Sequence, residues 1–374
     1  MQSEITHPVR FSSIIRYTAS AITTAMAIAV TAPLAQSATP HSQITTIQLT
    51  STSGCVGDGG SFYPTFDRLV KKVAFTSSCD LIAGQNSDGN GELFVMNIDG
   101  SGLVQLTSTT GGIGAIHPDI DASGQKIVFA SDRDLISGGN TDGNFEIFTI
   151  QVNGAGLAQL THTTGGNSLC SGGGSGGNVD PRYNAGATKI VFGSDRDLVS
   201  GGNTDGNGEL FEMNANGSGV RQLTHTTGGC GNGEPSLDAT GSKVIFSSDR
   251  DLVLGGNTDA NYEIFSMNTN GTDIVQLTNT VNPSGIGSVA PRWTPDTNTI
   301  VFRGDGPGGT FQIFRMKGDG SGLLQMTWNT GGFGSAPWWI SQDGKTMAVE
   351  SDRDLVAGSN TDLNFEIYEI KLAP

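Results

Sequence analysis

The sequence predicts an all-β protein, a six-bladed β-propeller with four antiparallel strands in each blade. Three observations carry that prediction. The phrase Ser131-Asp132-Arg133-Asp134-Leu135 returns at Ser194, Ser248 and Ser351, a period of about fifty residues, or about twice that across the last gap, as when one supersecondary unit is copied. An acidic or amide residue followed by an apolar pair occurs six times: Glu92-Leu93-Phe94, Glu146-Ile147-Phe148, Glu209-Leu210-Phe211, Glu263-Ile264-Phe265, Gln312-Ile313-Phe314 and Glu366-Ile367-Tyr368. A closing Gln-Leu-Thr stands at Gln105, Gln159, Gln222 and Gln276, with Gln325-Met326-Thr327 as its variant.

Within one unit the strands are placed by their apolar, β-branched runs and by the turns between them. In the second unit they are expected near Ile116–Asp121, Lys126–Ser131, Phe145–Gln151 and Leu157–Thr161. Ala122-Ser123-Gly124-Gln125 and Val152-Asn153-Gly154-Ala155-Gly156 supply the Gly and Asn that tight hairpins need for positive φ. No segment after the leader sustains a 3.6-residue apolar period. The expected blades are 61–112, 113–166, 167–229, 230–280, 281–332 and 333–374 within one domain, 39–374. The sixth lacks its own Gln-Leu-Thr strand, and residues 43–50, with Gln48-Leu49-Thr50, are expected to complete it. That closure would remove two exposed sheet edges.

Arg10 and Arg16 precede a charge-poor stretch, Ala19–Ala32, followed by the small residues Ala35-Gln36-Ser37-Ala38. Residues 1–38 read as a secretory signal peptide, and the stretch is shorter than the roughly 20 apolar residues of a spanning helix. The product is therefore expected in the periplasm or outside the cell and not membrane-spanning after processing. A net charge of −16 argues against nucleic acid or an anionic lipid surface as partner. Four cysteines suit an oxidising compartment. Cys55–Cys79 and Cys170–Cys230 are the pairs expected, because each would join loops on one face of the ring.

The loop between second and third strands carries alternating oxygen-bearing side chains in five units: Asn86, Asp88, Asn90, Glu92; Asn140, Asp142, Asn144, Glu146; Asn203, Asp205, Asn207, Glu209; Asn257, Asp259, Asn261, Glu263; and Asn360, Asp362, Asn364, Glu366. Oxygens at i, i+2 and i+4 with a flexible turn are how a short loop wraps Ca²⁺. The preceding carboxylates Asp132, Asp134, Asp195, Asp197, Asp249, Asp251, Asp352 and Asp354 could raise the ligand count. The same residues also suit hydrogen-bonded turns that need no metal, and that reading stays open beside calcium. The fifth unit, with Gly304-Asp305-Gly306, is expected to bind no ion.

His162, His225 and Trp328 occupy equivalent inter-blade positions on the same face, and Trp338 is a candidate for the central channel. No catalytic motif stands in its required context: Gly173-Gly174-Ser175-Gly176-Gly177 is followed by Asn178-Val179-Asp180-Pro181 rather than a helix.

Pro295-Asp296-Thr297-Asn298-Thr299-Ile300-Val301-Phe302 and Ile340–Val349 resemble the first hairpin of TolB-type propeller repeats, and Met96–Gly102 and Met316–Gly322 resemble the second. The resemblance spans about residues 43–374 and implies the propeller fold, without the additional α/β domain of TolB itself. It implies an envelope protein as the first partner, with a peptide or polysaccharide as further possibilities. The expected role is therefore non-enzymatic binding or scaffolding through the loop face by a monomer. The alternative is a secreted hydrolase or lyase acting on a sugar or lactone in the channel, which would require carboxylates and histidine to converge there.

Overall fold

The recurring runs Lys-Val/Ile-x-Phe and Glu-x-Phe pair as the central hairpin of four blades, and their variants from Thr299 and Gln312 and from Thr346 and Glu366 do so in the fifth and sixth. In the second blade Lys126–Ser131 runs antiparallel to Glu146–Gln151, with Phe129 opposite Phe148. Their rings stack with centroids 5.8 Å apart, and the pairs Phe75–Phe94, Phe192–Phe211, Phe246–Phe265 and Phe302–Phe314 repeat the arrangement. Such a pair adds about 0.5–1.5 kcal/mol beyond the area it buries.

The computed structural model describes residues 45–52, 55, 59–165, 176–228, 230–281, 287–294, 299–306, 310–328, 333–341 and 343–371. The expected leader, residues 43–44 of the expected N-terminal strand, Ser175 and Cys170 lie outside the described residues. Six four-stranded antiparallel sheets are present, and no helix is found among the described residues. In five of them the strands are hydrogen-bonded in chain order. The second blade is typical: Ala115–Ile120, Lys126–Ser131, Glu146–Gln151 and the short outer strand Ala158–Gln159.

The sixth sheet is composite. Ser335–Ile340, Thr346–Ser351 and Glu366–Lys371 are completed on the outside by Thr45–Gln48, with Thr46 opposite Ile370. The core follows the same junction: Phe66, Phe75 and Phe94 of the first blade pack with Ala348 and Ile367 of the sixth. First strands of neighbouring blades touch all the way round, including Ser61–Phe66 against Ser335–Ile340. The ring is closed.

A glycine before each first strand makes the blade-to-blade approach possible. Gly114 has φ +95° and lies so close to Gly91 that a Cβ would stand 2.0 Å from the Gly91 carbonyl oxygen. Gly91 N–H donates to Ile113 O at 2.8 Å and Ala115 N–H to Gly91 O at 2.7 Å, stitching the two blades together.

Candidate functional site

The motifs that mark the repeats are built into three clamps. The Asp132 carboxylate accepts the N–H groups of Ile113 and Gly114 at 2.8 and 2.9 Å, while Arg133 grips it through Nε and Nη2. Asp249 holds Cys230 and Gly231, and Asp352 holds Phe333 and Gly334, in the same way. The first blade departs from this: Ser78 Oγ accepts the Gly60 N–H, and Cys79, standing in the arginine position, is disulfide-bonded to Cys55 with Cα atoms 4.7 Å apart. Cys230 makes no disulfide among the described residues.

The second clamp joins the other two motifs. Glu92 is fully buried and accepts Thr107 Oγ1 at 2.5 Å, Thr109 N–H at 2.5 Å and Thr109 Oγ1 at 2.6 Å. Glu146, Glu209 and Glu263 serve Thr163, Thr226 and Thr280 likewise. In the composite blade Glu366 accepts from Thr50 and Thr52, so the clamp also seals the ring. Burial pushes the Glu366 carboxyl above its ordinary value, against the pull of those donors.

The third clamp shapes the lengthened loops. Asp134 accepts the N–H groups of Gly138, Gly139 and Asn140 at 2.8–3.0 Å, and Asp197, Asp251 and Asp354 repeat this. These bonds, with Asn140 first, hold the exposed Asp134 carboxylate below its ordinary value. Asp142 accepts Gly165 N–H at 2.8 Å, as Asp88 and Asp205 do from Gly111 and Gly228. The asparagines are buried between these carboxylates, as at Asn140 and Asn144.

A different set of residues meets at the axis. Every first strand carries a β-bulge at its middle, for example between Ile116 and Asp119. In five blades the bulged residue is a non-glycine with positive φ: Tyr63 (56°), His117 (50°), Asp180 (54°), Glu234 (54°) and Ala290 (52°). Each precedes a proline in the sequence. In the sixth blade the proline is shifted by one residue and Trp338 occupies the bulge. A left-handed non-glycine residue costs about 1–2 kcal/mol, so the ring bears a repeated cost to present these side chains.

His117 Nδ1 lies 2.8 Å from Asp180 Oδ1. Arg182 approaches Asp119 at 3.7 Å and donates to Pro118 O at 2.8 Å; Asp119 also accepts Tyr183 N–H at 2.8 Å. Arg292 donates to Trp338 O and Pro291 O. Both guanidinium groups lie over the Trp338 ring, Arg292 at 5.0 Å and Arg182 at 5.8 Å. Tyr63 and His117 flank the same indole. Glu234 accepts Ala290 N–H and Ser247 Oγ, and Glu350 accepts Tyr63 N–H at 2.7 Å.

Desolvation dominates the electrostatics there. It raises the Asp119 and Glu350 carboxyls above their ordinary values, with Arg182 opposing it at Asp119 and the Tyr63 N–H opposing it at Glu350. Burial disfavours the Asp180 carboxylate too, but His117, with Arg182 and Arg292 behind it, holds it down at about 2. Burial and the neighbouring Arg182 bring Arg292 down to about 9. Carboxylates and a histidine therefore converge, as a catalytic channel would require, yet each has a fixed protein partner. Trp338, Arg182 and Arg292 are each no more than 5% exposed and fill the space between.

His162 and His225 are exposed on the loop face, and Trp328 is exposed at the equivalent position of the fifth blade. Trp338 is the one expected face residue that reaches the axis. A shallow hollow of about 380 Å³ lies elsewhere, among Arg68, Val70, Ser341, Asp343 and Thr346. Among the described residues no three His, Cys, Asp or Glu side chains group as metal ligands, and no helix is long and apolar enough to cross a membrane. The axial set had one sequence signal, a residue that changes in every repeat before a recurring proline.

No known family model matches the sequence, and no curated protein matches it. Solved structures do. TolB from Acinetobacter baumannii superposes with a TM-score of 0.51 at 18% identity over 72% of this chain and 55% of that one. The chain thus spans about half the length of that protein. A putative TolB from Agrobacterium tumefaciens gives a TM-score of 0.53 at 14% identity, covering 84% of this chain and 90% of its own. Kuenenia stuttgartiensis hydrazine synthase gives 0.50 at 16% identity over 75% of this chain and 42% of its own. These likenesses concern fold, which hosts unrelated tasks. With six four-stranded sheets closed by an N-terminal strand, the chain has the fold of the TolB-like β-propellers.

Proposed function

We propose that this is an exported, non-enzymatic binding propeller that takes a protein partner on its loop face, in the periplasm or outside the cell. The observation that carries this reading is the filled axis. General acid–base or nucleophilic catalysis needs a group within reach of a substrate atom, whereas the axial carboxylates are occupied by His117, Arg182 and backbone N–H groups behind Trp338. Recognition then falls to the rims. On the loop face Leu254 is 98% exposed, Val281 86%, Trp328 58% and Leu363 56%. Among them Trp328 carries the most weight, because tryptophan is enriched where protein contacts hold most of their binding energy. Export is supported by the leader pattern at 1–38 and by the Cys55–Cys79 bridge, which persists in oxidising compartments. The acidic surface favours a basic or neutral partner.

The test is site-specific photo-crosslinking in the envelope and secreted fractions of cells making the full chain. A photoreactive residue at Trp328 should give discrete adducts, and one at Leu69, in a turn between first and second strands, should give none. Adducts only from position 69, or turnover of a sugar or lactone that is lost in H117A, would overturn the reading.

A further inference from the structure

We infer that the five lengthened loops are calcium sites, each built from two buried asparagine amide oxygens and the exposed aspartate between them. The sites are in blades one to four and six, in the loops that begin at Asn86, Asn140, Asn203, Asn257 and Asn360.

The second blade gives the argument. Asn140 and Asn144 are each 4% exposed, and the Oδ1 atom of each is enclosed without a hydrogen-bond donor. Reversing the amides does not relieve this. Asn140 Nδ2 donates to Asn144 O at 2.8 Å, and Asn144 Nδ2 donates to Thr163 O at 3.0 Å. Both acceptors are carbonyl oxygens, and the Thr163 hydroxyl that Asn144 Nδ2 also meets at 3.0 Å already donates to Glu146, so a flipped amide would set oxygen against oxygen. The network fixes which atom faces inward. Between them Asp142 commits Oδ2 to Gly165 N–H, which anchors the carboxylate without using its other oxygen in that bond. Gly143, with φ +73°, turns the chain between second and third donors.

Asn86 and Asn90, and their counterparts in blades three, four and six, repeat the arrangement, and both Oδ1 atoms of every pair lack a donor. The inner bond recurs from Asn86 to Asn90 O, Asn203 to Asn207 O, Asn257 to Asn261 O and Asn360 to Asn364 O at 2.8–2.9 Å. Buried polar atoms find partners in native proteins, and the same two atoms are unpartnered in all five loops. What each oxygen needs is a partner that takes up its lone pairs, and a cation held between the two amides and the aspartate would serve both at once.

Donors that are all oxygen, with one carboxylate among them, select a hard ion that accepts six to eight oxygen ligands in flexible geometry; backbone carbonyls and water would complete the shell. A single carboxylate per site places the affinity in the weak range of about 10⁻⁴–10⁻³ M, which extracellular calcium can fill. Asp134 and Glu146 are not needed as ligands, since their oxygens already accept N–H and hydroxyl groups.

Calorimetric titration of Ca²⁺ into EDTA-treated mature protein, with melting followed in parallel, tests this. The expected result is saturable binding of several ions and a rise in Tm that grows with calcium. A variant with Asp88, Asp142, Asp205, Asp259 and Asp362 all changed to Asn, whose side chains are exposed, should remain folded by far-UV circular dichroism and lose affinity at least about tenfold. No heat and no Tm shift at millimolar calcium would overturn the inference. So would undiminished affinity in the folded five-site variant, which would assign the binding to the acidic surface at large. Loss of calcium binding leaves the loop-face crosslinks of the proposed function to be judged separately, in calcium-free buffer.

Discussion

At the scale of single residues the repeats divide into positions that recur and positions that do not. Ser-Asp-Arg-Asp, Glu and Gln-Leu-Thr recur because each is half of a clamp, and all three were legible in the sequence as markers. Their pairing was not, because Glu92 and Thr109 meet only after the outer strand folds back. Of the axial residues only Trp338 was legible, because a repeat pattern shows what returns, and the bulge carries Tyr63, His117, Asp180, Glu234, Ala290 and Trp338 in turn. Glycines separate in the same way. Gly114→Ala would drive a Cβ onto the Gly91 carbonyl and keep φ at +95°. It should lower unfolding free energy by about 1–3 kcal/mol or more. Gly84→Ala, at φ +79° with open space around it, should cost only about 1 kcal/mol. Urea midpoints for the two variants check the contrast.

Charge at this scale sets a pH optimum. Asp119, Glu350 and Glu366 are raised by burial from ordinary values of 3.8, 4.5 and 4.5. The folded state holds their protons more readily than the unfolded chain, so their contribution is largest below those values and is lost as pH rises through the folded ones. Asp180, held at about 2, and the loop carboxylates such as Asp134 act in the opposite sense, with stability lost as pH falls below their ordinary value toward the folded one. Asp119→Asn and Glu350→Gln, which remove the raised carboxyls, should therefore make Tm less favoured by acidification than in the parent, while the parent Tm falls below about 4 as Asp180 and the loop carboxylates are protonated. An unchanged pH profile of Tm in the two variants would contradict this.

The element that matters most is the strand that closes the ring. Thr45–Gln48 contributes only a short ladder, so much of its hold comes from Thr50 and Thr52 on Glu366 and from Leu49 N–H on Ile367 O at 2.8 Å. Replacing both threonines by valine leaves the buried carboxylate short of two donors, at about 1–3 kcal/mol for each unsatisfied group. Amide exchange should then accelerate in Thr45–Gln48 and in Glu366–Lys371 before any other blade. The closure was legible because Gln48-Leu49-Thr50 supplies the Gln-Leu-Thr that the sixth unit lacks. The Cys55–Cys79 bridge reinforces the same junction across 24 residues, and its reduction should lower stability by about 3 kcal/mol, read as a drop in Tm with dithiothreitol.

For the whole molecule, the ring explains how an acidic chain can gather Arg182, Arg292, Asp119, Asp180 and Glu350 at its centre: Asp180 pairs with His117 and Asp119 with Arg182, backbone groups hold Glu350 and Arg292, and both guanidinium groups lie over the Trp338 indole. Fold and blade number were legible because periodicity reports architecture. Function was less so, since the loop face is assembled from residues whose exposure appears only once the ring is built, such as Leu254 and Val281. The central claim is that the axis is a structural plug and the loop face the working surface. Crosslinking from position 328, repeated in a His117→Ala/Asp180→Ala variant shown by melting to be folded, tests it most directly. Adduct yield within about twofold of the parent is the predicted result; loss of the adducts with the fold intact would contradict it and place recognition at the axis.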